Sequence, residues 1–202
     1  MKSIIKNIIY YIKMARFLPH ILVYYTHSKK QLLEYERNFW IKTIKHQDIY
    51  TFKNFLWLLE VLPEYRSVFY LRVGKISGLL RIFASGRESL YLNIPSERIA
   101  PGLVMQHGFS TIAEVIKIGK NCQIWHNVTI GTNKSGSGNK VTIGDNVKIC
   151  AGAIVLGKIT IGNNVTIGAG AVVVKSVPDD CVVVGNPSYI VNQNGQRVNI
   201  KL

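Results

Sequence analysis

The sequence predicts an α+β chain, with a helical N-terminal region followed by a parallel β-helix. Three observations carry this. A branched aliphatic residue recurs every six positions at Ile112, Ile118, Ile124 and Ile130, and again at Ile143, Ile149, Val155, Ile161, Ile167 and Val173. A period of six fits neither an α-helix nor a simple alternating strand; it is the mark of short strands joined by turns and wound into coils. The first ninety or so residues lack this beat and instead space their apolar residues as helices do.

Helical spacing begins at once. Ile4, Ile5, Ile8, Ile9 and Ile12 share a face, complemented by Lys2, Lys6, Lys13 and Arg16. A basic amphipathic helix of this kind can lie on a membrane surface or pack on its neighbours or another subunit. Further helices are expected from Lys29 to Lys45, from Thr51 to Leu62 and, beyond Pro63, from Tyr65 to Ile82. Tyr and Phe are concentrated here, at Tyr10, Tyr11, Tyr24, Tyr25, Phe52, Phe55, Phe69 and Tyr70. Ser85-Gly86-Arg87 reads as the linker. The expected organisation is a helical region over 1–89, a β-helix over 90–191 and a polar tail over 192–202.

Within the coils the hexad runs aliphatic, small, any, any, small or aliphatic, any, as in Ile118-Gly119-Lys120-Asn121-Cys122-Gln123. Stacked coils join the aliphatic positions into one interior column, because a single hexad buries almost nothing. Corner residues such as Gly144-Asp145-Asn146 suit tight or left-handed turns. The beat breaks twice. Met105 to Ile112 is one residue too long, and between Ile130 and Ile143 lies a polar, glycine-rich stretch, 132–140, expected as a loop extruded from a coil.

The 202 residues carry 25 Lys and Arg against 11 Asp and Glu, a formal charge of +14. Such an excess favours an anionic partner: nucleic acid, a membrane surface or a phosphate-rich small molecule. No recognised nucleic-acid module accompanies the basic residues. Cys122, Cys150 and Cys181 are scattered and read as small core residues, which favours a reducing, cytoplasmic setting. No secretory pattern opens the chain, and no apolar run reaches the roughly 18 residues of a membrane span.

The period also acts as a ruler. Met105, Ile112, Ile118 and Ile124 mark three hexads, one turn of a triangular coil, so His107 and His126 should stack on adjacent coils. Their backbones would lie about 5 Å apart. Imidazole is the natural general base near neutral pH, and a polar histidine on a solvated face is the plainer alternative. The remaining histidines, His20, His27 and His46, fall in the helical part, so the coils offer no third histidine ligand and no metal site is expected.

The stretch from about Leu90 to Val191 resembles the hexapeptide acyltransferases, in their serine acetyltransferase-like branch. The residues that carry the resemblance are Pro101-Gly102-Leu103-Val104-Met105-Gln106-His107-Gly108, Ile124-Trp125-His126-Asn127-Val128-Thr129-Ile130-Gly131-Thr132, Ile167-Gly168-Ala169-Gly170-Ala171 and Val184-Gly185-Asn186-Pro187. The resemblance implies a left-handed β-helix, a homotrimer, acetyl-CoA as donor and a hydroxyl as acceptor. It makes His107 the general base, with His126 in support. It puts Gly131, Thr132, Lys140, Ala151, Gly152, Ala169, Gly170 and Lys175 beside CoA, and Gln106, Trp125 and Asn139 beside the acceptor.

Departures from serine acetyltransferases shape the expected substrate. Gln106 stands where they carry Asp before the base, and Leu92-Asn93-Ile94 replaces their Asp-x-His. Asn139-Lys140 replaces their Arg-His. With Leu92 in place of an acid, Glu114 is a candidate to orient His107. The expected function is therefore acetyl-CoA-dependent O-acetylation of a saccharide hydroxyl, as in capsular or exopolysaccharide synthesis. Serine O-acetyltransferase is the second reading. A third is a catalytically inactive trimeric scaffold, peripheral to the inner face of a membrane.

Overall fold

The computed structural model describes residues 14–48, 50–132 and 140–202. The predicted helix around Ile4–Ile12 and the stretch 133–139 lie outside the described residues. The chain divides into two compact units, Met1–Arg87 and Glu88–Leu202.

Five α-helices are described in the first unit: α1 (Leu18–Thr26), α2 (Lys30–Lys45), α3 (Phe52–Val61), α4 (Pro63–Val73) and α5 (Ser77–Phe83). The Thr51 side chain caps α3 by accepting from the Asn54 amide at 3.1 Å, meeting one of the amides a helix leaves orphaned. Pro63 opens α4, where its missing N–H costs nothing. The expected helix over 65–82 is split, because Gly74 ends α4 with φ of +67°. The aromatic residues divide between core and surface: Tyr24, Phe55, Phe69 and Tyr70 are buried, while Tyr25 and Phe52 are exposed. Trp40 meets Tyr65 edge-on at 5.4 Å between centroids.

Polar groups are also sealed inside this unit. Arg72 Nε donates to Glu36 Oε1 at 3.0 Å, with both side chains almost fully buried. His20 Nε2 lies 2.8 Å from Tyr70 Oη, which donates in turn to the Ala84 carbonyl. Burial, with Arg66 and Arg16 adding to it, lowers the His20 pKa to about 4. The segment read as a linker is pinned: the Arg87 amide donates to Pro63 O at 3.1 Å and to Ser67 Oγ at 2.8 Å.

The second unit is a β-helix built of three sheets. One joins β1 (Leu90–Leu92), β3 (Thr111–Ala113), β6 (Thr129–Gly131), β9 (Ile154–Leu156) and β12 (Val172–Val173). Another joins β4 (Val115–Ile118), β7 (Val141–Ile143) and β10 (Thr160–Ile161). The third joins β2 (Val104–Gln106), β5 (Gln123–Trp125), β8 (Lys148–Ile149), β11 (Thr166–Ile167) and β13 (Cys181–Val184). All these pairings are parallel. β14 (Tyr189–Gln193) and β15 (Gln196–Lys201) then fold back antiparallel on β13, so the polar segment 192–202 is largely strand.

The beat residues from Ile118 to Val173 are each at most 1% exposed. A second column, two residues earlier in each hexad, includes Val128, Val147, Val165 and Ala171, all at 0%. Removing such side chains from water is worth about 1.5–3 kcal/mol each. Ile112 corrects the pattern. It is 44% exposed, and the interior position is Ala113 at 0%. Cys150 is a second correction: Cys122 and Cys181 are buried as expected, whereas Cys150 is half-buried.

One set of corners is held by side chains. Lys120 N donates to Asp145 Oδ1, Asp145 N to Asn163 Oδ1 and Asn163 N to Asp179 Oδ1, each at 2.8 Å. Beside them Asn146 Nδ2 donates to Asn164 Oδ1, and Asn164 Nδ2 to Asp180 Oδ1, both at 2.9 Å. Asn121, Asn146, Asn164 and Asp180 all have φ near +56°, which Asn and Asp tolerate best among side-chain-bearing residues. A Cβ on Gly144 would come within 2.8–2.9 Å of the Gly162 backbone, so only glycine lets these coils approach.

Candidate active site

The site grows from one edge of the β-helix, where β2, β5, β8 and β11 turn toward β3, β6, β9 and β12. Met105 pairs in register with Ile124, and Gln106 with Trp125, so one turn runs from 105 to 124 as expected. Past Gln106 the ladder departs from the expected stacking. Asn127 N donates to Phe109 O, Gly152 N to His126 O and Gly170 N to Ala151 O, all at 3.0 Å. Phe109, His126 and Ala151 are therefore equivalent positions. The residues after them, Ser110, Asn127, Gly152 and Gly170, share left-handed φ values of 51°, 55°, 70° and 66°. His107 and Gly108 are two extra residues inserted before the corner.

This insertion replaces the expected histidine stack. Phe109 lies over His126, with ring centroids 4.8 Å apart and planes 18° from parallel. His107 meets His126 edge-on instead, at 6.3 Å and 66°. His107 is exposed, with φ of +55°, and its carbonyl accepts from the Phe109 amide at 2.5 Å. His126 is half-buried, and its Nδ1 is sealed from water with no hydrogen-bond partner among the described residues. Thr111, 0% exposed, braces the edge by donating from Oγ1 to the Trp125 carbonyl at 3.0 Å.

The other expected site residues that are described fall in four places. Ala151, Gly152, Ala169 and Gly170 continue the edge that carries Phe109 and His126. Gln106 and Trp125 are half-buried on the outward face next to it, with Gln106 Nε2 at 3.5 Å from Gln123 Oε1. Gly131 ends β6 with open space where a Cβ would stand, and its carbonyl accepts from Gly157 N at 3.0 Å. Glu114 lies beside it through its amide, which donates to Ile130 O at 2.8 Å. Its carboxylate takes Lys140 Nζ at 2.8 Å, and the structure shows no bond from it to the His107 ring. Lys175 is exposed just past β12. Asn139 lies outside the described residues.

Sequence reasoning missed Phe109 and Thr111. The over-long step from Met105 was the available signal, but its resolution as two inserted residues was not. Among the described residues no group of three or more His, Cys, Asp or Glu could hold a metal ion. No described helix is long and apolar enough to cross a membrane.

Residues 140–175 match the bacterial transferase hexapeptide family of six repeats. The matched span covers coils whose interior columns are the aliphatic beat. That span carries the six-residue repeat of this family.

Curated relatives resemble the chain over more of its length. It is 47% identical over 106 residues to serine acetyltransferase of Staphylococcus xylosus, covering 52% of this chain and 49% of that one. It is 41% identical over 136 residues to serine acetyltransferase of Staphylococcus epidermidis, covering 66% and 62%. The chain thus spans about half to three-fifths of the length of these curated relatives. The crystal structure of Neisseria gonorrhoeae serine acetyltransferase in complex with serine superposes with a TM-score of 0.64 at 27% identity, over 83% of this chain and 70% of that one. These relatives overturn the expectation of a saccharide acceptor and of a place in polysaccharide synthesis. They carry the name of the second reading instead. The absence of particular family side chains at Leu92, Ile94 and Gln106 does not identify another acceptor.

Proposed function

We propose that the protein is a serine O-acetyltransferase using acetyl-CoA as donor. The observation that carries this is the 41% identity over 136 residues to a serine acetyltransferase. The exposed His107 beside a continuous corner edge supports it. In this reading His107 removes the hydroxyl proton of serine as the oxygen attacks the thioester carbonyl. Backbone N–H groups of the coil steady the oxyanion. The tetrahedral adduct collapses by breaking the C–S bond, and the CoA thiolate recovers the proton from His107. The products are O-acetylserine and CoA.

His126 presents its outer ring nitrogen to the acceptor. The Gln106 side-chain oxygen, a hydrogen-bond acceptor, meets the serine ammonium in place of a carboxylate. CoA runs past Gly131, Thr132 and Lys140 and along Ala151, Gly152, Ala169 and Gly170, with Lys175 as a point charge for a phosphate. The assembly is a homotrimer that sets this edge against a neighbouring subunit.

The test is acetyl transfer from acetyl-CoA, read as CoA release, with L-serine beside a panel of other hydroxyl acceptors. L-Serine should give the highest kcat/KM. His107→Ala should lower kcat by a factor of about 10² to 10⁴ while leaving CoA affinity intact. A better acceptor than serine, or a folded His107→Ala enzyme with normal turnover, would overturn the reading.

A further inference from the structure

Something must orient His107, because a base on a free side chain reaches productive geometry only part of the time. The usual device is a carboxylate on the second ring nitrogen. Among the described residues the structure shows no such bond. Glu114 is engaged by Lys140 at 2.8 Å, and β1 presents Leu92 where an acid was sought.

We infer that Phe109 is the positioning residue of the site: its stack on His126 and its backbone turn onto His107 together fix the imidazole pair. This rests on the proposed role of His107 as base. Three contacts converge on Phe109. Its carbonyl accepts from Asn127 N at 3.0 Å, which anchors it in the coil ladder. Its amide donates to His107 O at 2.5 Å, which closes a tight turn around Gly108 directly after the left-handed His107. Its ring covers one face of His126 at 4.8 Å. Aromatic stacking of this kind stabilises the pair beyond simple burial and so favours one rotamer of the covered ring.

The second observation concerns His126 itself. Its buried Nδ1 has no partner among the described residues. A sealed N–H donor left unmet is the rarer arrangement, so the proton belongs on Nε2. The ring is thus set in both plane and tautomer. His107 lies edge-on against it at 6.3 Å, the favoured geometry of an aromatic pair. A stacked phenylalanine and histidine do here what a carboxylate does elsewhere.

Phe109 is 42% exposed, so shortening it opens no core cavity. The test compares Phe109→Leu, which keeps apolar bulk but loses the stack, with Phe109→Tyr, which keeps both. Leucine should lower kcat by roughly 10-fold to 100-fold, the scale of a small misplacement of a catalytic group. KM for acetyl-CoA should stay within about twofold, and tyrosine should restore kcat. Histidine-labelled protein without substrates supplies a second measurement. The His126 ring protons should lose their upfield ring-current shift in Phe109→Leu and keep it in Phe109→Tyr, with His107 resonances moving in step. Normal kcat and unmoved His107 resonances in Phe109→Leu would overturn the proposal, as would failure of tyrosine to restore kcat. If serine is not the acceptor, the resonance comparison still decides the matter.

Discussion

Glu114 Oε1 stands 2.8 Å from Lys140 Nζ, with Glu114 between β3 and β4 and Lys140 just before β7. Their side chains are 39% and 24% exposed. A partly exposed pair of this kind contributes about 0–1 kcal/mol. Glu114→Gln should therefore shift the denaturation midpoint only slightly. Because the carboxylate serves Lys140, the pH dependence of kcat should keep its shape. A loss of turnover as large as that of His107→Ala would restore Glu114 as the orienting acid.

The exchange of Ile112 for Ala113 as interior residue has a direct test in stability. Ile112→Ala removes a side chain that is 44% exposed and should cost no more than about 0.5–1 kcal/mol. Ala113→Leu places extra methylenes where exposure is 0% and should cost about 1–3 kcal/mol from overpacking. Urea denaturation of both variants measures the difference. The reverse order of costs would show that the coil follows the six-residue beat through position 112.

His20 ties the helical unit to pH. Its pKa falls from 6.5 to about 4 because burial disfavours the imidazolium, with Arg66 and Arg16 adding to the effect. Between these values the unfolded chain binds the proton and the folded chain does not. Stability from this group is therefore full above about pH 6.5 and declines as pH falls toward 4. The decline should be on the order of 1–3 kcal/mol, and His20→Gln should flatten it. Thermal denaturation across pH 4–7 measures both curves. Parallel curves for the two proteins would remove His20 as the cause.

The coil ladder was legible because the period fixes it. Met105 and Ile124 pair as counted, and nine beat residues from Ile118 onward are interior. The insertion at His107-Gly108 was not. A seven-residue step followed by six spans the same distance as eight followed by five, and Ile112 and Ala113 are both apolar enough for either register. The pairing of His107 and His126 was therefore found, while its geometry and the part of Phe109 in it were not. In the helical unit, composition located the aromatic residues but not their faces, since Tyr24 and Tyr25 are neighbours with opposite burial. The acceptor was misread for a different reason. Subtracting family residues at Gln106, Leu92 and Ile94 says which grips are gone, and a substrate is chosen by the grips that remain.

The asparagine and aspartate corners have a direction. Every side-chain link takes its hydrogen from the earlier coil and its lone pair from the later one, from Lys120 through Asp145 and Asn163 to Asp179, and from Asn146 through Asn164 to Asp180. The first row is donated by backbone amides; the second is donated by side chains and finishes on the Asp180 carboxylate, which accepts and cannot donate. A further coil stacked beyond Asp180 would find no amide hydrogen offered by that side chain to continue the row. Asp180 acts as a stop signal written in hydrogen-bond polarity, and after one more parallel strand, β13, the chain leaves the coil pattern for the antiparallel strands β14 and β15.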